Sequence, residues 1–226
     1  MTDEHAHGTP QTAGTEHPFG RDYWEDRYSA PGLAWSGNPN PVLVTETSSL
    51  APGRALDIGS GEGGDAFWLA SRGWSVTGVD IAVNALNKAR TRAEAADPAA
   101  AASIDWQQHD LTEWSPPRAS FDLVSAQFMH LPEPERSRLF RSLAAAVAPG
   151  GTLLIVGHDI AGMDVGEHQG HMVALMFTAQ DVVAAIDGEG LTVEIAESRG
   201  RQGMAPDVTA TQVRDIVVRA KAVTAG

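Results

Sequence analysis

Cysteine is absent from this chain of 226 residues. Its absence excludes disulfide bonds, zinc sites built from thiolates and a cysteine nucleophile. Basic residues are also few, because 16 Lys and Arg stand against 29 Asp and Glu, which gives a formal net charge of −13. A surface of this charge repels a phosphate backbone and an anionic lipid headgroup. We therefore expect no nucleic acid and no membrane surface as a partner.

Long apolar runs are missing as well. A membrane-spanning helix needs about 18 or more consecutive apolar residues, and the sequence contains no such run. The segment 1–18 is rich in Thr, His, Glu, Gly and Pro and lacks the apolar centre of a secretory signal. We expect this segment to be a disordered tail and the protein to be cytoplasmic.

The remaining composition is that of a globular domain, with 42% hydrophobic and 20% charged residues. At roughly 150 residues per domain, the length fits one domain with added elements. We predict a single domain over 19–226, with an N-terminal segment over 19–50, a core over 51–160 and a C-terminal part over 161–226.

Strand and helix patterns alternate along the core. Strands are predicted at 54–58, 74–80, 104–109, 121–126 and 152–156, the last after a turn at 149–151. Helices are predicted at 41–50, 63–72, 83–96, 134–147 and 178–186, the last with Thr178 as its N-cap. Alternation of this kind predicts an α/β fold, a mostly parallel sheet with helices on both faces. Two further strands, at 191–197 and 208–220, are predicted to close one sheet edge as a hairpin.

A glycine-rich turn is the sharpest signal in the chain. The sequence LDIGSGEGG follows the first predicted strand and opens a helix. Glycines let the backbone approach a ligand closely, and the helix N-terminus adds free N–H donors. Asp80 ends the second predicted strand, 21 residues after Gly59. An acid there can accept hydrogen bonds from two ribose hydroxyls, so the pair fits a dinucleotide or another adenosine ligand.

Two more carboxylates stand at the ends of predicted strands. Asp57 lies two residues before the first glycine of the turn, where it suits a ligand with an ammonium group and repels a pyrophosphate. Asp110 follows the third strand and can accept a hydrogen bond from an exocyclic amine. Together with Asp80 they line the sheet edge at which open α/β sheets bind ligands.

These residues resemble a known family. ALDIGSGEGGDA is similar to motif I of the class I S-adenosylmethionine-dependent methyltransferases, and WSVTGVDIA, QQHDLTEW, FDLVSAQFMHLP and the run 149–159 resemble the next four motifs in order. The segment DYWEDRY followed by AWSGNPNP is similar to small-molecule members of the tellurite-resistance and thiopurine type. The resemblance implies a Rossmann-like, seven-stranded sheet with an antiparallel C-terminal strand. It also implies methyl transfer from S-adenosylmethionine, with S-adenosylhomocysteine as product, to an O, N or S atom of a small molecule in detoxification or secondary metabolism.

The same resemblance implies roles for residues around the methionine end of the cofactor. Gly59 to Gly61, with Ser60 between them, would cradle this end, and Asp57 would lie near its ammonium group. Gln127 would lie near the methyl donor. Tyr28 and Trp35 would close over the cofactor from the N-terminal segment.

Roles for the adenosine end follow in the same way. Asp80 would hold the ribose, and Ile81 would pack on the adenine face. Asp110 would accept a hydrogen bond from the adenine amine, with the Leu111 backbone beside it.

Chemistry on the acceptor needs a base only if the acceptor arrives protonated. His130 and His158 follow the fourth and fifth strands and are candidate general bases. The loop 158–171 is expected to shape the acceptor pocket, and its histidines and acids have no spacing that demands a metal, so no metal site is predicted. Arg199 and Arg201 could meet an anionic substrate.

Two other functions remain open from the sequence. Gly59, Gly61 and Gly64 also fit the fingerprint of an NAD-dependent oxidoreductase. A non-catalytic protein that binds S-adenosylmethionine would keep the same acids. A monomer and a homodimer are equally compatible with the sequence.

Overall fold

The computed structural model describes residues 19–159, 175–200 and 214–224. One seven-stranded sheet lies at the centre, with its strands in the order β3-β2-β1-β4-β5-β7-β6. The strands are β1 (Arg54–Ile58), β2 (Ser75–Asp80), β3 (Ile104–Gln108), β4 (Phe121–Gln127), β5 (Val147–His158), β6 (Leu191–Gly200) and β7 (Arg214–Ala222). The helices are α1 (Arg21–Ser29), α2 (Pro41–Thr47), α3 (Gly64–Ser71), α4 (Val83–Ala96), α5 (Pro98–Ala101), α6 (Glu135–Ala146) and α7 (Ala179–Ile186).

The sheet has the predicted mixed topology. Strands β1 to β5 pair in parallel, whereas β7 runs antiparallel to both β5 and β6. The strand order reverses between β1 and β4, which is the switch point where such sheets bind ligands. The predicted fold class is confirmed. In the C-terminal hairpin, β7 inserts beside β5 and leaves β6 as the edge strand.

Side chains alternate across β5 between two apolar cores. Leu153 and Ile155 pack with helices α6 and α7 on one face, while Leu154 and Val156 pack with α2 and α3 on the other. All four side chains are buried. Successive residues of a strand point to opposite faces, so a continuous apolar run is what a strand covered by helices on both sides requires.

Most predicted elements lie where the sequence placed them, with shifts at their ends. Thr178 caps α7 as predicted, and Asp181 completes a capping box. The predicted start of the fifth strand at 152 is wrong, because β5 begins at Val147 and includes residues 149–151. Gly150 takes a left-handed φ of +76°, and the pairing with β4 shifts its register there. Val147 pairs with Phe121 and Thr152 with Leu123, so residues 148–151 form a bulge in β5 at the position of the predicted turn.

Helices α1 and α5 were not predicted. The predicted start of the last strand at 208 lies outside the described residues, and so does the segment 1–18. Within the described part of the chain, no helix has the length and apolar character to cross a membrane.

Candidate functional site

A cavity of about 940 Å³ lies at the carboxyl edge of the parallel strands. Each predicted cofactor residue and both candidate bases line it, from the N-terminal segment and from the ends of β1 to β5. These residues are Tyr28, Trp35, Asp57, Gly59, Ser60, Gly61, Asp80, Ile81, Asp110, Leu111, Gln127, His130 and His158. The fold therefore brings together side chains separated by up to 130 positions along the chain.

The strand order divides this cavity into two parts. The ends of β1, β2 and β3 carry what we call the glycine half, formed by residues 57–62, 80–81 and 110–111. The ends of β4 and β5 and the start of β7 carry what we call the histidine half, formed by residues 127–131, His158 and Asp215. The division follows from the switch point between β1 and β4.

The glycine turn packs against the core at Gly63 and faces the cavity at Gly59 and Gly61. Gly59, Gly61 and Gly63 have φ angles of +67°, +52° and +79°. A Cβ atom on Gly63 would lie 2.6 Å from the Trp106 ring and 2.8 Å from the Ala89 methyl group. At Gly59 and Gly61 a Cβ would instead meet cavity-lining side chains at 3.1 Å. Left-handed backbone and close approach together explain the glycines.

Asp80 ties the turn to the end of β2. Its Oδ2 accepts a hydrogen bond from the Gly61 N–H at 2.8 Å, and its Oδ1 accepts one from the Ala82 N–H at 2.9 Å. Burial raises the pKa of Asp80, and the backbone hydrogen bonds oppose this rise. The carboxylate therefore positions the turn, and its remaining lone pairs are available to a ligand.

Asp57 belongs to a group of buried carboxylates that lack a positive partner. Only 2% of Asp57 is exposed, and burial raises its pKa well above the usual range, with Asp65 and Asp80 adding to the effect. Burial also raises the pKa of Asp65, to about 6. In the part of the chain that the structure describes, no Lys or Arg pairs with these three acids. The glycine half therefore favours a cationic ligand.

Four buried polar atoms at the cavity have no hydrogen-bond partner among the described residues. They are Asp57 Oδ2, Ser60 Oγ, Gln127 Oε1 and His130 Nε2. Each such atom costs about 1–3 kcal/mol when it stays unpaired. Their residues all line one cavity, so a ligand that supplies the missing partners is the economical explanation.

Asp110 and Ile81 occupy the outer end of the glycine half. Asp110 Oδ1 accepts hydrogen bonds from the Thr112 N–H at 2.9 Å and from its hydroxyl at 2.6 Å. This turn leaves Oδ2 for another donor. Ile81 is half-buried and packs against the cluster of Tyr28, Ala82 and Ala85.

Tyr28 and Trp35 form one unit beside the glycine turn. The Trp35 Nε1–H donates to the Tyr28 hydroxyl at 2.9 Å. This hydroxyl lies 3.1 Å from the position that a Cβ atom on Gly61 would occupy. Burial and the nearby Asp80 raise the pKa of Tyr28 to about 12, so it stays protonated. Trp35 is 52% exposed, and the Arg27 guanidinium lies over its ring at 4.6 Å.

Charged side chains hold the N-terminal segment in place, and none of them was predicted from the sequence. Glu62, inside the glycine turn and buried, accepts from the Ala34 N–H at 3.0 Å and the Trp35 N–H at 3.2 Å. Lys88 donates to the Ala30 and Gly32 carbonyls at 2.8 and 2.7 Å. Glu62 stands out in the sequence as an acid among glycines. Its role could not be predicted, because its partners are more than 25 positions away along the chain.

Helix α1 is held through the start of α4. The Glu25 carboxylate accepts from the Val83 N–H at 2.7 Å and the Asn84 N–H at 3.0 Å. An acid at a helix N-terminus satisfies free N–H groups and complements the helix dipole. This contact fixes α1, and with it Tyr28, over the end of β2.

His130 is held as a neutral imidazole in the histidine half. Burial and, to a smaller extent, the adjacent His158 lower its pKa to about 4, and a hydrogen bond to the Phe128 backbone opposes this. Because Nε2 has no partner, that bond runs through Nδ1, which donates to the carbonyl. Phe128 has a φ of +55°, a rare conformation for a non-glycine residue and one found at functional sites.

His158 connects His130 to an acid that was not predicted. The two histidine rings stack with centroids 5.1 Å apart, and His158 also contacts the Phe128 ring at 4.5 Å. His158 Nδ1 lies 3.8 Å from Asp215 Oδ1, and Asp215 is only 3% exposed. The antiparallel register of β5 and β7 pairs these two positions. No local signal in the sequence marks Asp215, because the pairing joins strands from distant parts of the chain.

The remaining predicted residues of the acceptor side are only partly described. The segment 160–174 and Arg201 lie outside the described residues. Arg199 lines the cavity, but its guanidinium binds Glu46 and Glu197. No group of three or more His, Asp or Glu in the described ranges could hold a metal ion.

Comparisons with known proteins agree with this geometry. Residues 55–151 match the family model described as a methyltransferase domain. The chain is 34% identical to trans-aconitate 2-methyltransferase of Rhizobium meliloti (strain 1021) over 120 residues, which cover 52% of this chain and 43% of the relative. It is 29% identical to the probable thiol methyltransferase 2 of Arabidopsis thaliana over 173 residues, or 71% of this chain and 75% of the relative.

Another relative is an uncharacterized methyltransferase of Mycobacterium tuberculosis (strain ATCC 25618 / H37Rv), which is 41% identical over 54% of this chain and 59% of its own length. The chain spans about half the length of these bacterial relatives.

Solved structures share the fold at low sequence identity. A methyltransferase from Mesorhizobium loti superposes with a TM-score of 0.63, at 21% identity, over 80% of this chain and 96% of that one. Phosphoethanolamine N-methyltransferase 2 of Haemonchus contortus, solved with S-adenosyl-L-methionine, gives a TM-score of 0.66 at 18% identity, over 92% of this chain and 58% of that one. Residues 55–151 thus match a methyltransferase domain, and the sheet around them has the fold of S-adenosylmethionine-dependent methyltransferases of known structure.

Proposed function

We propose that the protein transfers the methyl group of S-adenosylmethionine to an O, N or S atom of a small molecule and releases S-adenosylhomocysteine. The observation that carries this proposal is the glycine half, where buried carboxylates without a positive partner surround a backbone turn. S-adenosylmethionine brings a sulfonium and an ammonium group, so it compensates this charge. A pyrophosphate would add negative charge to it, which disfavours a nicotinamide cofactor.

The residues present fit the cofactor group by group. Asp57 Oδ2 would accept from the ammonium, and Ser60 with the N–H groups of the turn would bind the carboxylate. Asp80 would accept from the ribose hydroxyls through its remaining lone pairs. Ile81 would contact the adenine face, and Asp110 would accept from the adenine amine.

We propose the same roles for the other cofactor residues that were predicted from the sequence. Gly59 and Gly61 would let the backbone approach the methionine end, and Leu111 would lie beside the adenine. Gln127 would lie near the methyl donor. Tyr28 would cover the turn, with Trp35 hydrogen-bonded behind it.

When bound, the cofactor supplies an electrophilic methyl group with its leaving group attached. The chain's own contribution is therefore to position the acceptor and to exclude water. A proton is removed only from an acceptor that carries one, and His130 and His158 are the proposed groups for that task.

A small-molecule acceptor is supported by the relatives, whose names include a trans-aconitate and a probable thiol methyltransferase. We further propose a single domain over 19–226, acting as a monomer or homodimer in the cytoplasm. A role in detoxification or secondary metabolism, similar to the tellurite-resistance and thiopurine type, goes with this proposal.

Calorimetric titration of the full chain tests the cofactor. We expect binding of S-adenosylmethionine and S-adenosylhomocysteine and none of NADH. Binding of NADH alone would overturn the proposal. Binding of S-adenosylmethionine without production of S-adenosylhomocysteine from a broad acceptor panel would instead indicate a non-catalytic binding protein.

A further inference from the structure

The acceptor side of the cavity carries information about the class of molecule that is methylated. Three features of the histidine half and its surroundings bear on it: the tautomer of His130, the balance of charged side chains and the aromatic lining. The inference rests on the proposed methyl transfer and concerns only the acceptor.

The tautomer of His130 selects for a hydrogen-bond donor. Its Nδ1–H is engaged by the Phe128 carbonyl, so Nε2 presents a lone pair, and this atom is buried without a partner. A hydroxyl or thiol can donate to such a nitrogen. A carboxylate has no proton to donate and would place its own lone pairs against it.

The charged side chains that line the cavity also disfavour a carboxylate acceptor. Its acids include Asp57 and Asp80 in the glycine half, Asp65 at the start of α3 and Asp215 in the histidine half. The cations among the described lining residues are two arginines. One of them, Arg199, is already bound by Glu46 and Glu197.

Arg27 is the other cation, and it lies exposed over the Trp35 ring. Among the described lining residues, a molecule with several carboxylates would therefore find no buried cation that is not already bound, and Asp215 would repel it.

The walls of the cavity are rich in rings. Phe19, Tyr23, Trp24 and Tyr28 line it from the N-terminal segment over the end of β2 and form a continuous row, with successive ring centroids 4.8, 5.1 and 6.0 Å apart. Apolar side chains next to His130 add to this lining, namely Phe128, Met129, Leu131 and Leu175. Flat apolar molecules gain from contacts with such rings.

We propose that the methyl acceptor is an aromatic molecule with a hydroxyl or thiol group, which donates its hydrogen to His130 Nε2, and that polycarboxylates are poor acceptors. The acceptor O or S atom forms the new bond to the methyl carbon. The bond from that carbon to the sulfonium sulfur breaks, and its electron pair stays on the sulfur of S-adenosylhomocysteine. The proton moves to His130 Nε2 and then to water, so no other reactant is needed.

The proton transfer suits the weak base at this position. As the methyl group bonds to oxygen or sulfur, the remaining proton becomes far more acidic. A buried imidazole whose pKa burial lowers to about 4 can accept it and release it again at neutral pH.

Matched acceptors test the proposal on the full chain with S-adenosylmethionine. We would compare 2-naphthol and 2-naphthalenethiol with 2-naphthoic acid, which has the same ring body, and with trans-aconitate. S-adenosylhomocysteine and the methylated product are quantified by mass spectrometry. We expect kcat/KM for the hydroxyl or thiol compound to exceed that for both acids by about 100-fold.

Preferred formation of a methyl ester would overturn the proposal, and so would turnover of none of these compounds by protein that binds S-adenosylmethionine. Failure to bind S-adenosylmethionine would instead overturn the proposed function itself. The two failures are distinguished by calorimetry before the assay.

Variants of His130 separate its role in the reaction from a structural one. His130→Phe should lower kcat/KM for the hydroxyl compound by roughly 100-fold or more, reduce the preference over 2-naphthoic acid and leave cofactor affinity unchanged. His130→Gln, which keeps an acceptor atom, should retain part of the preference if Phe does not fold. The control is His109→Phe, because His109 stacks on Trp114 and does not line the cavity. A preference that is unchanged in both His130 variants would contradict the proposal.

Discussion

The two halves of the cavity are built in different ways. The glycine half comes mainly from one continuous turn, residues 57–62, whose shape depends on left-handed glycines and on the bridge from Asp80. The histidine half collects His130, His158 and Asp215 from three strand ends, and its chemistry depends on burial and ring contacts. Changes in the first half should therefore act on cofactor affinity, and changes in the second on the acceptor.

The largest effect is expected at Gly63. In Gly63→Ala the new methyl group would overlap Trp106 and Ala89, and the residue would keep a φ of +79°. Strain and overpacking should together lower the free energy of unfolding by about 3 kcal/mol or more and abolish cofactor binding. Thermal and denaturant unfolding measure the loss.

Gly188→Ala is the matched control for that change. Gly188 has a similar φ of +81° but no atom within 4 Å of the added Cβ. The free energy of unfolding of the Gly188→Ala variant should fall by only about 1–2 kcal/mol, which is the cost of the left-handed backbone conformation. Equal losses at both positions would show that contacts with the core do not determine the glycine turn.

The next effect is expected at Asp80. In Asp80→Ala the Gly61 N–H loses its acceptor and the proposed ribose contacts are lost. Affinity for S-adenosylmethionine should fall by about 1–3 kcal/mol, with the ranking of acceptors unchanged. Calorimetry measures this, and Asp105→Ala, an exposed acid outside the cavity, is the control. Unchanged affinity would show that the assignment of Asp80 is wrong.

A smaller effect is expected from pH. Burial raises the pKa of Asp65 to about 6, so this acid is partly protonated in the free protein near pH 6, and burial also raises the pKa of Asp57 well above its usual range. A cationic cofactor binds the ionised form, so protons are released and affinity rises with pH. From Asp65 alone the gain between pH 5 and pH 8 is roughly tenfold.

Titrations in buffers of different ionisation enthalpy measure the released protons. Asp65→Asn should flatten the pH dependence of cofactor affinity. If the affinity for S-adenosylmethionine falls as the pH rises, the positive groups of the cofactor do not bind beside the acids of the glycine half.

The smallest effect is expected at Lys88, which binds the N-terminal segment rather than the ligand. Lys88→Met removes hydrogen bonds to the Ala30 and Gly32 carbonyls and the contact with Glu62. Cofactor affinity should fall by about 0.5–1.5 kcal/mol, mainly through faster release, as stopped-flow fluorescence would show. Arg90→Met on the same helix, which removes only a contact with Asn87, should have no effect. A larger effect at Arg90 than at Lys88 would contradict this role.

The sequence by itself determined the order of strands and helices and most of the glycine half. Asp57, Gly59, Gly61 and Asp80 belong to local strand–turn–helix units, whose backbone geometry depends on neighbours a few residues away. Glycine at left-handed positions and acids at strand ends are therefore visible without the fold. The early start of β5 was not visible, because it depends on the pairing of Val147 with Phe121, whereas Pro-Gly-Gly locally signals a turn.

Only the tertiary structure decided how the histidine half and the N-terminal segment are arranged. Asp215 reaches His158 because β7 inserts antiparallel beside β5, and Glu62 meets Trp35 across 27 positions. The sequence could nominate His130 by its position, but burial and the Phe128 carbonyl decide its charge and its tautomer. Interactions between distant segments depend on how the whole chain packs, and desolvation exists only once that packing has formed.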